Sequence, residues 1–183
     1  MKKLILILGD LAAGKSTTAD ILSKKFSIPS LKKDVIKEIL GDNIGFTNRE
    51  ENLNLSRVTF ELLLHTFDRA SLTGADLILE SNFREIELDR LTALAEERGY
   101  STLSLLLTAD TKILYERYLH RIDIGRHPVH LTTDFDNYEG FVNYVLLQRQ
   151  TPKRGSLIKI CADDFSYQSD ITLIEKIEKF LAD

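Results

Sequence analysis

The sequence has little of what several protein classes require. Its single cysteine, Cys161, permits no disulfide within the chain, which suits a reducing cytosol. We expect this thiol to behave as a small buried hydrophobe in a strand. No apolar run reaches the length of a membrane span. The run that follows Met1-Lys2-Lys3 stops at Gly9-Asp10, too early for a signal peptide. These shortages predict a cytoplasmic protein with no membrane partner.

The chain has no excess of positive charge, because acidic residues outnumber basic ones. Lys and Arg total 24 against 28 Asp and Glu, which gives a formal net charge of −4. This balance argues against a protein that grips nucleic acid by bulk electrostatics, although it does not exclude a local basic patch. The apolar content of 43% and charged content of 28% are ordinary for a globular protein. We expect one domain, residues 1–183, with a sizeable core.

One stretch near the start carries a specific motif. The apolar run 4–8 leads into Gly9-Asp10-Leu11-Ala12-Ala13-Gly14-Lys15-Ser16-Thr17, which matches the P-loop pattern G-x-x-x-x-G-K-S. The glycines let backbone N–H groups converge on phosphate oxygens, and the following helix adds its positive end. Lys15 supplies a cation for the β- and γ-phosphates, and Ser16 a hydroxyl for Mg²⁺. The stretch predicts binding of a nucleotide, ATP, with Mg²⁺.

Two other nucleotide signatures are missing. A dinucleotide fingerprint requires a second glycine where Leu11 stands. The segment 42–45 matches the D-x-x-G of GTPases by letter, but it does not end an apolar strand. No N-K-x-D guanine signature occurs in the chain. We interpret residues 42–45 as a turn.

Five apolar runs alternate with helical patterns along the rest of the chain. The predicted strands are residues 3–8, 28–31, 76–80, 102–107 and 157–162. The predicted helices are about 15–25, 35–40, 47–74, 85–98, 110–121, from Asp134 to 150, and 171–181. Asp34 begins the second of them and Gly41 closes it. A Thr47–Glu50 capping box opens the third, whose apolar residues include Leu53, Val58, Leu62, Leu63 and Phe67. This order predicts an α/β protein: a three-layer P-loop NTPase fold with a five-stranded, mainly parallel sheet and a helical lid.

Ligands of parallel sheets bind at the carboxyl ends of the strands. Asp34 follows the second strand, where it either takes a proton from an attacking hydroxyl or merely caps the next helix. Lys37, one helical turn on, is a candidate to hold an acceptor anion. Glu80 ends the third strand and is a candidate for Mg²⁺, through water, or for the second substrate. Arg84 follows it as a candidate bidentate anion clamp.

A lid is predicted at about residues 117–134. Arg117 and Arg121 share one helix face, and Arg126 follows in an irregular stretch broken by Gly125 and Pro128. Arginines near a mobile loop neutralise charge on a transferring phosphoryl group or stack on a purine. Solvated basic side chains are the alternative interpretation.

The stretch 126–130, Arg-His-Pro-Val-His, is unusual in a chain with four histidines. His127 is a candidate for substrate binding or for ordering the lid, and a purely structural loop is the alternative. Metal ligation by these histidines, with Asp134 and Asp136 nearby, lacks a further cluster of ligands at fixed geometry.

With these residues in place, the chain resembles the small P-loop kinases. They include gluconate and shikimate kinases, chloramphenicol phosphotransferase, zeta toxins, polynucleotide kinase and the zeta-toxin-like AAA-domain ATP-binding proteins. The resemblance spans nearly the whole chain. It implies that Asp34 is a general base, that the arginines at 117, 121 and 126 belong to a lid, and that 162–167 pass near the adenine. Polynucleotide kinase-like members have D-x-x-R where this chain has Asp34-Val35-Ile36-Lys37.

Together these features predict an ATP- and Mg²⁺-dependent kinase that phosphorylates a hydroxyl of a small molecule. Lys15, Asp34 and Arg126 are the predicted catalytic residues. A nucleoside, nucleotide or polynucleotide 5′-hydroxyl acceptor is the alternative within the enzyme class. A nucleotide-sensing protein without acceptor chemistry is the alternative outside it.

Overall fold

The computed structural model of the chain describes residues 1–133, 135 and 137–183. The predicted helix start at Asp134, the nearby Asp136 and the end of the predicted lid lie outside the described residues.

A parallel sheet forms the centre of the described structure. Its strands are β1 (Lys2–Gly9), β2 (Ser30–Lys32), β3 (Leu77–Glu80), β4 (Tyr100–Thr108) and β5 (Ser156–Cys161). They lie in the order β2-β3-β1-β4-β5, and every neighbouring pair is parallel. The register sets Ile7 beside Glu80 and Gly9 beside Leu107. The α/β fold with a five-stranded sheet is therefore confirmed, and the sheet is wholly parallel.

Helices cover both faces of the sheet. They are α1 (Lys15–Phe26), α2 (Lys33–Ile44), α3 (Arg49–Ser71), α4 (Glu85–Glu97), α5 (Thr111–Asp123), α6 (Tyr138–Arg149) and α7 (Ile171–Ala182). Short 3-10 helices run over Pro128–Thr133 and Ser166–Ser169. Where the sequence predicted an irregular stretch after about residue 121, α5 continues to Asp123 and a 3-10 helix follows.

The core has two layers because successive side chains of a strand point to opposite faces. On β1, Ile5 and Ile7 pack with Leu22, Tyr118 and other residues from α1, α5, α6 and α7. Leu4, Leu6 and Leu8 pack on the opposite face with residues of α3 and α4. This burial fixes the register of β1, and with it the position of the loop that follows.

The ends of α2 and α3 differ from the prediction. Helix α2 begins at Lys33 and has no side-chain cap, so Asp34 lies in its first turn and does not cap it. It also continues through Gly41 to Ile44, which places 42–44 in the helix and not in a turn. The side chain of Asn48 caps α3 by accepting from the backbone N–H of Glu51, one residue later than predicted.

The prediction that Cys161 is buried was wrong, and three apolar side chains of α3 are also exposed. On α3 the residues Leu53, Val58 and Leu62 are exposed, because the buried face of that helix runs through Leu55, Phe60, Leu63 and Phe67. Cys161 is exposed and free, since it is the last residue of the edge strand β5.

Candidate active site

The loop between β1 and α1 requires glycine at both ends. Gly9 has a φ of 133°, and a Cβ there would lie 2.0 Å from the carbonyl oxygen of Leu107. Gly14 has a φ of 88°, and a Cβ there would lie 2.6 Å from Cε1 of Phe165. Left-handed backbone is costly for other residues. Between them Ala12 and Ala13 are buried, so the loop presents backbone to the cleft in front of it.

Lys15 reaches back over this loop. Its Nζ donates to the carbonyl oxygens of Gly9 at 3.1 Å and Asp10 at 2.7 Å. Burial lowers the pKa of Lys15, while the carboxylates of Glu80 and Asp34 raise it. A buried ammonium held between loop carbonyls and near two carboxylates is placed to meet an incoming anion.

Ser16 and Glu80 bring oxygen ligands together. The Ser16 hydroxyl donates to Oε2 of Glu80 at 3.0 Å, although the two residues lie 64 apart in the chain. Burial raises the pKa of the Glu80 carboxyl, against the attraction of Lys15. A hydroxyl beside a buried carboxylate matches the hard oxygen ligands that Mg²⁺ prefers. The pair fits a magnesium ion that bound phosphates would help to hold.

Asp34 faces the same cleft from the first turn of α2. Its carboxylate is exposed and makes no hydrogen bond or ion pair with any described residue. Its charge nevertheless acts on the pKa values of Lys15, Glu80, Arg121 and Tyr144. It is therefore an uncommitted carboxylate surrounded by the groups of the phosphate loop and the residues opposite.

The three predicted lid arginines have different surroundings. Arg117 donates to the carbonyl oxygens of Ala162 at 2.7 Å and Asp163 at 2.6 Å, and its guanidinium lies 4.0 Å from the ring centre of Phe165. Arg121 lines the cleft, where desolvation and then the like charge of Arg126 lower its pKa.

Arg126 lines the cleft as well, with its guanidinium 5.4 Å from the ring centre of Tyr118. Its Nη1 is buried and finds no hydrogen-bond partner among the described residues. A buried donor left unpaired is costly, so this nitrogen favours an anionic or polar ligand.

These groups enclose one cleft of about 420 Å³. From the predicted set it is lined by Leu11, Ala12, Gly14, Lys15, Ser16, Asp34, Glu80, Arg121, Arg126 and His127. Glu38, Asn82 and His130 also line it. The cleft lies where β1, β2 and β3 end, which is the edge at which parallel sheets bind ligands.

Comparison with known proteins agrees with this geometry. A family model described as an AAA domain matches residues 5–128, more than half of the chain. The chain belongs to the AAA domain family. Since the match covers the P-loop, nucleotide binding is implied for this AAA domain. No curated protein sequence matches it.

Solved structures similar to the AAA domain include several kinases. One from Chloroflexus aurantiacus, named provisionally as a kinase, is 28% identical with a TM-score of 0.81, covering 98% of this chain and 97% of that one. A gluconokinase from Sinorhizobium meliloti is 13% identical with a TM-score of 0.59, covering 97% and 95%. A shikimate kinase from Bacteroides thetaiotaomicron is 16% identical with a TM-score of 0.58, covering 98% and 98%. The resemblance to small P-loop kinases is confirmed.

Several predicted residues of the AAA domain lie outside the cleft lining. Lys37 donates to Oδ1 of Asn52 at 2.7 Å and to the carbonyl oxygen of Val129 at 3.3 Å. Arg84 donates to Oε1 of Glu87 at 2.9 Å, across the first turn of α4. Both basic groups are thus bound to protein partners. Gly9 and Thr17 are also absent from the lining, and Thr17 is exposed.

Asp10, predicted to bind nucleotide, lies outside the lining too and is 2% exposed. Its carboxylate accepts from Arg149 of α6 at 2.7 Å and from the backbone N–H of Ala109 at 3.2 Å. Sequence reasoning missed Arg149, because 139 residues separate it from Asp10 and no local pattern marks it. Asn82 also lines the cleft, in the loop after β3, although it was not among the predicted site residues.

Two kinds of feature are absent from the described part of the chain. No helix there is long and apolar enough to cross a lipid bilayer. No group of three or more His, Cys, Asp or Glu side chains there is arranged to hold a metal ion.

Proposed function

We propose that this protein is a kinase that uses ATP and Mg²⁺ to phosphorylate a hydroxyl group of a small molecule. The observation that carries the proposal is the uncommitted carboxylate of Asp34, which shares one cleft with the P-loop lysine and the Ser16–Glu80 pair. A protein that only sensed nucleotide would need the loop and the magnesium ligands but no spare base opposite them.

The donor half of the cleft holds ATP. The loop amides and Lys15 bind the phosphates, with the positive end of α1 behind them. Ser16, together with Glu80 through water, would hold Mg²⁺, which neutralises phosphate charge when bound. Arg117, stacked on Phe165 at 4.0 Å, marks the adenine side of the cleft.

The acceptor half supplies the proton transfer. Asp34 takes the proton of the acceptor hydroxyl as that oxygen bonds to the γ-phosphorus. The bond from the γ-phosphorus to the oxygen bridging the β- and γ-phosphates breaks, and ADP departs with the electron pair. Arg121 and Arg126 stabilise the negative charge on the transferring group, with the unpaired Nη1 of Arg126 as a ready donor.

The charges around the acceptor half favour an acceptor without a phosphate group. Lys37 and Arg84 are engaged by Asn52 and Glu87, as described above. Lys33 is engaged too, 2.7 Å from Oε1 of Glu87. The polar groups that remain beside Asp34 include the carboxylate of Glu38 and the amide of Asn82. Both hydrogen-bond hydroxyls well, and the carboxylates repel a phosphate dianion. This argues against a nucleotide or polynucleotide acceptor.

ATP consumption, screened against matched pairs of alcohols and their phosphate esters, tests the proposal. Asp34→Asn should lower kcat by about 10²- to 10⁴-fold while ATP affinity stays within about twofold. Lys15→Ala should abolish transfer. Asp20→Asn is the matched control, since Asp20 is exposed and its one ion-pair partner among the described residues is Lys32.

Three results would contradict the proposal. Wild-type turnover by Asp34→Asn would show that Asp34 is not the general base. Tight ATP binding without transfer to any hydroxyl would favour the nucleotide-sensing alternative, and a preference for the phosphate esters would restore the nucleotide-type acceptor.

A further inference from the structure

The loop after α5, residues 124–130, is held against α2 and α3 by a set of directed contacts. Val129 is fully buried, and its carbonyl oxygen accepts from Nδ2 of Asn52 at 2.9 Å and from Nζ of Lys37 at 3.3 Å. The Lys37 ammonium also donates to Oδ1 of Asn52 at 2.7 Å. These three groups form a closed triangle, which we call the Val129 clamp (Lys37, Asn52 and Val129).

Two histidines dock the same loop on one face of α2. His127 lies 3.0 Å from Asp42 and His130 lies 2.9 Å from Glu38, through Nε2 in each case. The two carboxylates are four residues apart and so lie on the same side of the helix. Between them Gly41 leaves room for Val129: a Cβ on Gly41 would lie 3.3 Å from its Cγ2.

The Val129 clamp consists of polar groups that would destabilise the fold if they were buried without hydrogen-bond partners. Asn52 is 1% exposed on α3, and a buried amide requires hydrogen-bond partners. Burial lowers the pKa of Lys37, and the like charge of Arg126 lowers it too. The carboxylate of Asp34 acts in the opposite direction and favours the charged ammonium. The carbonyl oxygen of Val129 and the amide oxygen of Asn52 offset the cost of burial further by accepting its hydrogen bonds.

Arg126 lies three residues before the clamped carbonyl. Its Nη1 makes no hydrogen bond with the described part of the chain, so no such bond aims that nitrogen. Its direction depends on the ring of Tyr118 on one side and on the fixed backbone of the loop on the other. A loop free to shift by about 1 Å would misplace the donor, and misplacement of that size costs about 10²-fold in rate.

We propose that Lys37 and Asn52 are positioning residues of the kinase: through the Val129 carbonyl they hold the loop that aims Arg126 into the cleft. This rests on the proposed function, because it assumes that Arg126 stabilises the transferring phosphoryl group. It assigns Lys37 to the protein's own loop and not to an acceptor anion. Neither residue touches the reacting atoms.

Hydrogen exchange and turnover, measured on the same variants, test this role. Lys37→Met and Asn52→Leu should raise the exchange rates of the amides of His127, Val129 and His130 about tenfold or more, because the loop opens locally. Both should slow single-turnover hydrolysis of Mg·ATP, with water as the acceptor, about 10- to 100-fold while the Kd for Mg·ATP changes less than threefold. Lys37→Arg, which keeps the donor, should restore most of the rate.

Asn54→Ala is the matched control for Asn52→Leu, since Asn54 is exposed on the same helix and accepts only from Arg57 among the described residues. It should change neither readout. A second route to the same displacement is Gly41→Ala, whose new methyl presses on Val129; Gly41→Ala with Val129→Ala should recover the wild-type rate.

Unchanged exchange rates in Lys37→Met and Asn52→Leu would overturn the proposal that the Val129 clamp holds the loop in place. Raised exchange with wild-type turnover, while Arg126→Ala loses turnover, would overturn the positioning role and leave the proposed function intact. Wild-type turnover by Arg126→Ala would instead refute the role given to that arginine, and the exchange data would still decide whether the clamp holds the loop.

Discussion

Removing Arg149 should destabilise the fold although the residue lies on the last helical turn of α6. Asp10, 2% exposed, accepts a hydrogen bond from Nε of Arg149 that is shared between its two carboxylate oxygens, at 3.1 and 3.2 Å, and another from Nη2 at 2.7 Å. In Arg149→Met the N–H of Ala109, at 3.2 Å, is the one hydrogen bond that the carboxylate keeps from the described residues. The buried charge in the phosphate loop then has the charges of Lys15 and Lys153 nearby but no direct ion pair with a described residue.

The expected cost follows from the burial of the two partners. Breaking a buried ion pair costs about 3–5 kcal/mol, and the Arg149 side chain is 33% exposed, which places this pair at the low end, about 3 kcal/mol. For a chain of this size that corresponds to a Tm lower by about 6–12 °C. Asp10→Asn should cost about 1–2 kcal/mol, because the amide still accepts from Ala109 and the freed guanidinium reaches water.

The free energy of unfolding is measured in urea by far-UV circular dichroism, since the chain has no tryptophan. The double variant should cost less than the sum of the single variants, with a coupling of about 1–2 kcal/mol. Arg90→Met is the control: its pair with Glu61 is exposed, at 46% and 57% for the two side chains, so its loss should cost less than about 1 kcal/mol. Equal costs for Arg149→Met and Arg90→Met, or strict additivity, would refute this account of the loop.

Three further predictions concern neighbouring charges and the loop itself. Glu80→Gln should stabilise the nucleotide-free protein near pH 7, because the pKa of Glu80 is raised in the folded state and its ionisation above the ordinary pKa of a glutamate therefore destabilises the fold. The variant should also bind nucleotide with Mg²⁺ more weakly, as measured by calorimetry. A lower unfolding free energy of the variant would contradict this prediction. Lys33→Met should destabilise the fold by about 2 kcal/mol or more, because it leaves Arg84 as the remaining partner of the buried Glu87. Burial raises the pKa of Glu87, but Lys33 and the hydrogen bonds from Arg84 outweigh it and lower that pKa overall, so the loss of stability should be full above the ordinary pKa of a glutamate and shrink as pH falls through the lowered pKa. A difference in unfolding free energy that does not change with pH, measured in urea, would contradict this explanation. Gly9→Ala should abolish nucleotide binding and yield little folded protein, as judged by circular dichroism, because its methyl would lie 2.0 Å from a backbone oxygen; a folded, binding-competent variant would show that the strand pair can shift.

Local patterns predicted what local physics decides. The run of apolar residues before Gly9 and the glycines and lysine after it sufficed to place β1, the phosphate loop and α1. The strand-end rule brought Asp34 and Glu80 to one edge of the sheet, because topology alone sets that edge. The start of α3 was missed by one residue since Thr47 and Asn48 are both good caps and only the folded backbone selects between them.

Partner choice could not be predicted in the same way. Lys37 and Arg84 were predicted to bind substrate because of their charge. Lys37 instead binds Asn52, whose position depends on how α3 packs against α2, and Arg84 binds Glu87 within the first turn of its own helix. The bond between Arg149 and Asp10 joins two residues 139 apart, and no periodicity encodes such a contact. Charge alone therefore identifies candidates, and the fold decides which of them reach the ligand.

The two glycines of the phosphate loop should behave differently in a suppressor screen. A methyl on Gly9 meets the main chain of β4, which no second-site substitution can remove, so alleles of this position should have no suppressors. A methyl on Gly14 meets chiefly the ring of Phe165, and a smaller residue at 165 takes that obstacle away, leaving the strain of the left-handed backbone. Partial revertants of Gly14→Ala should therefore map to position 165, linking the start of the chain to its last loop by genetics alone.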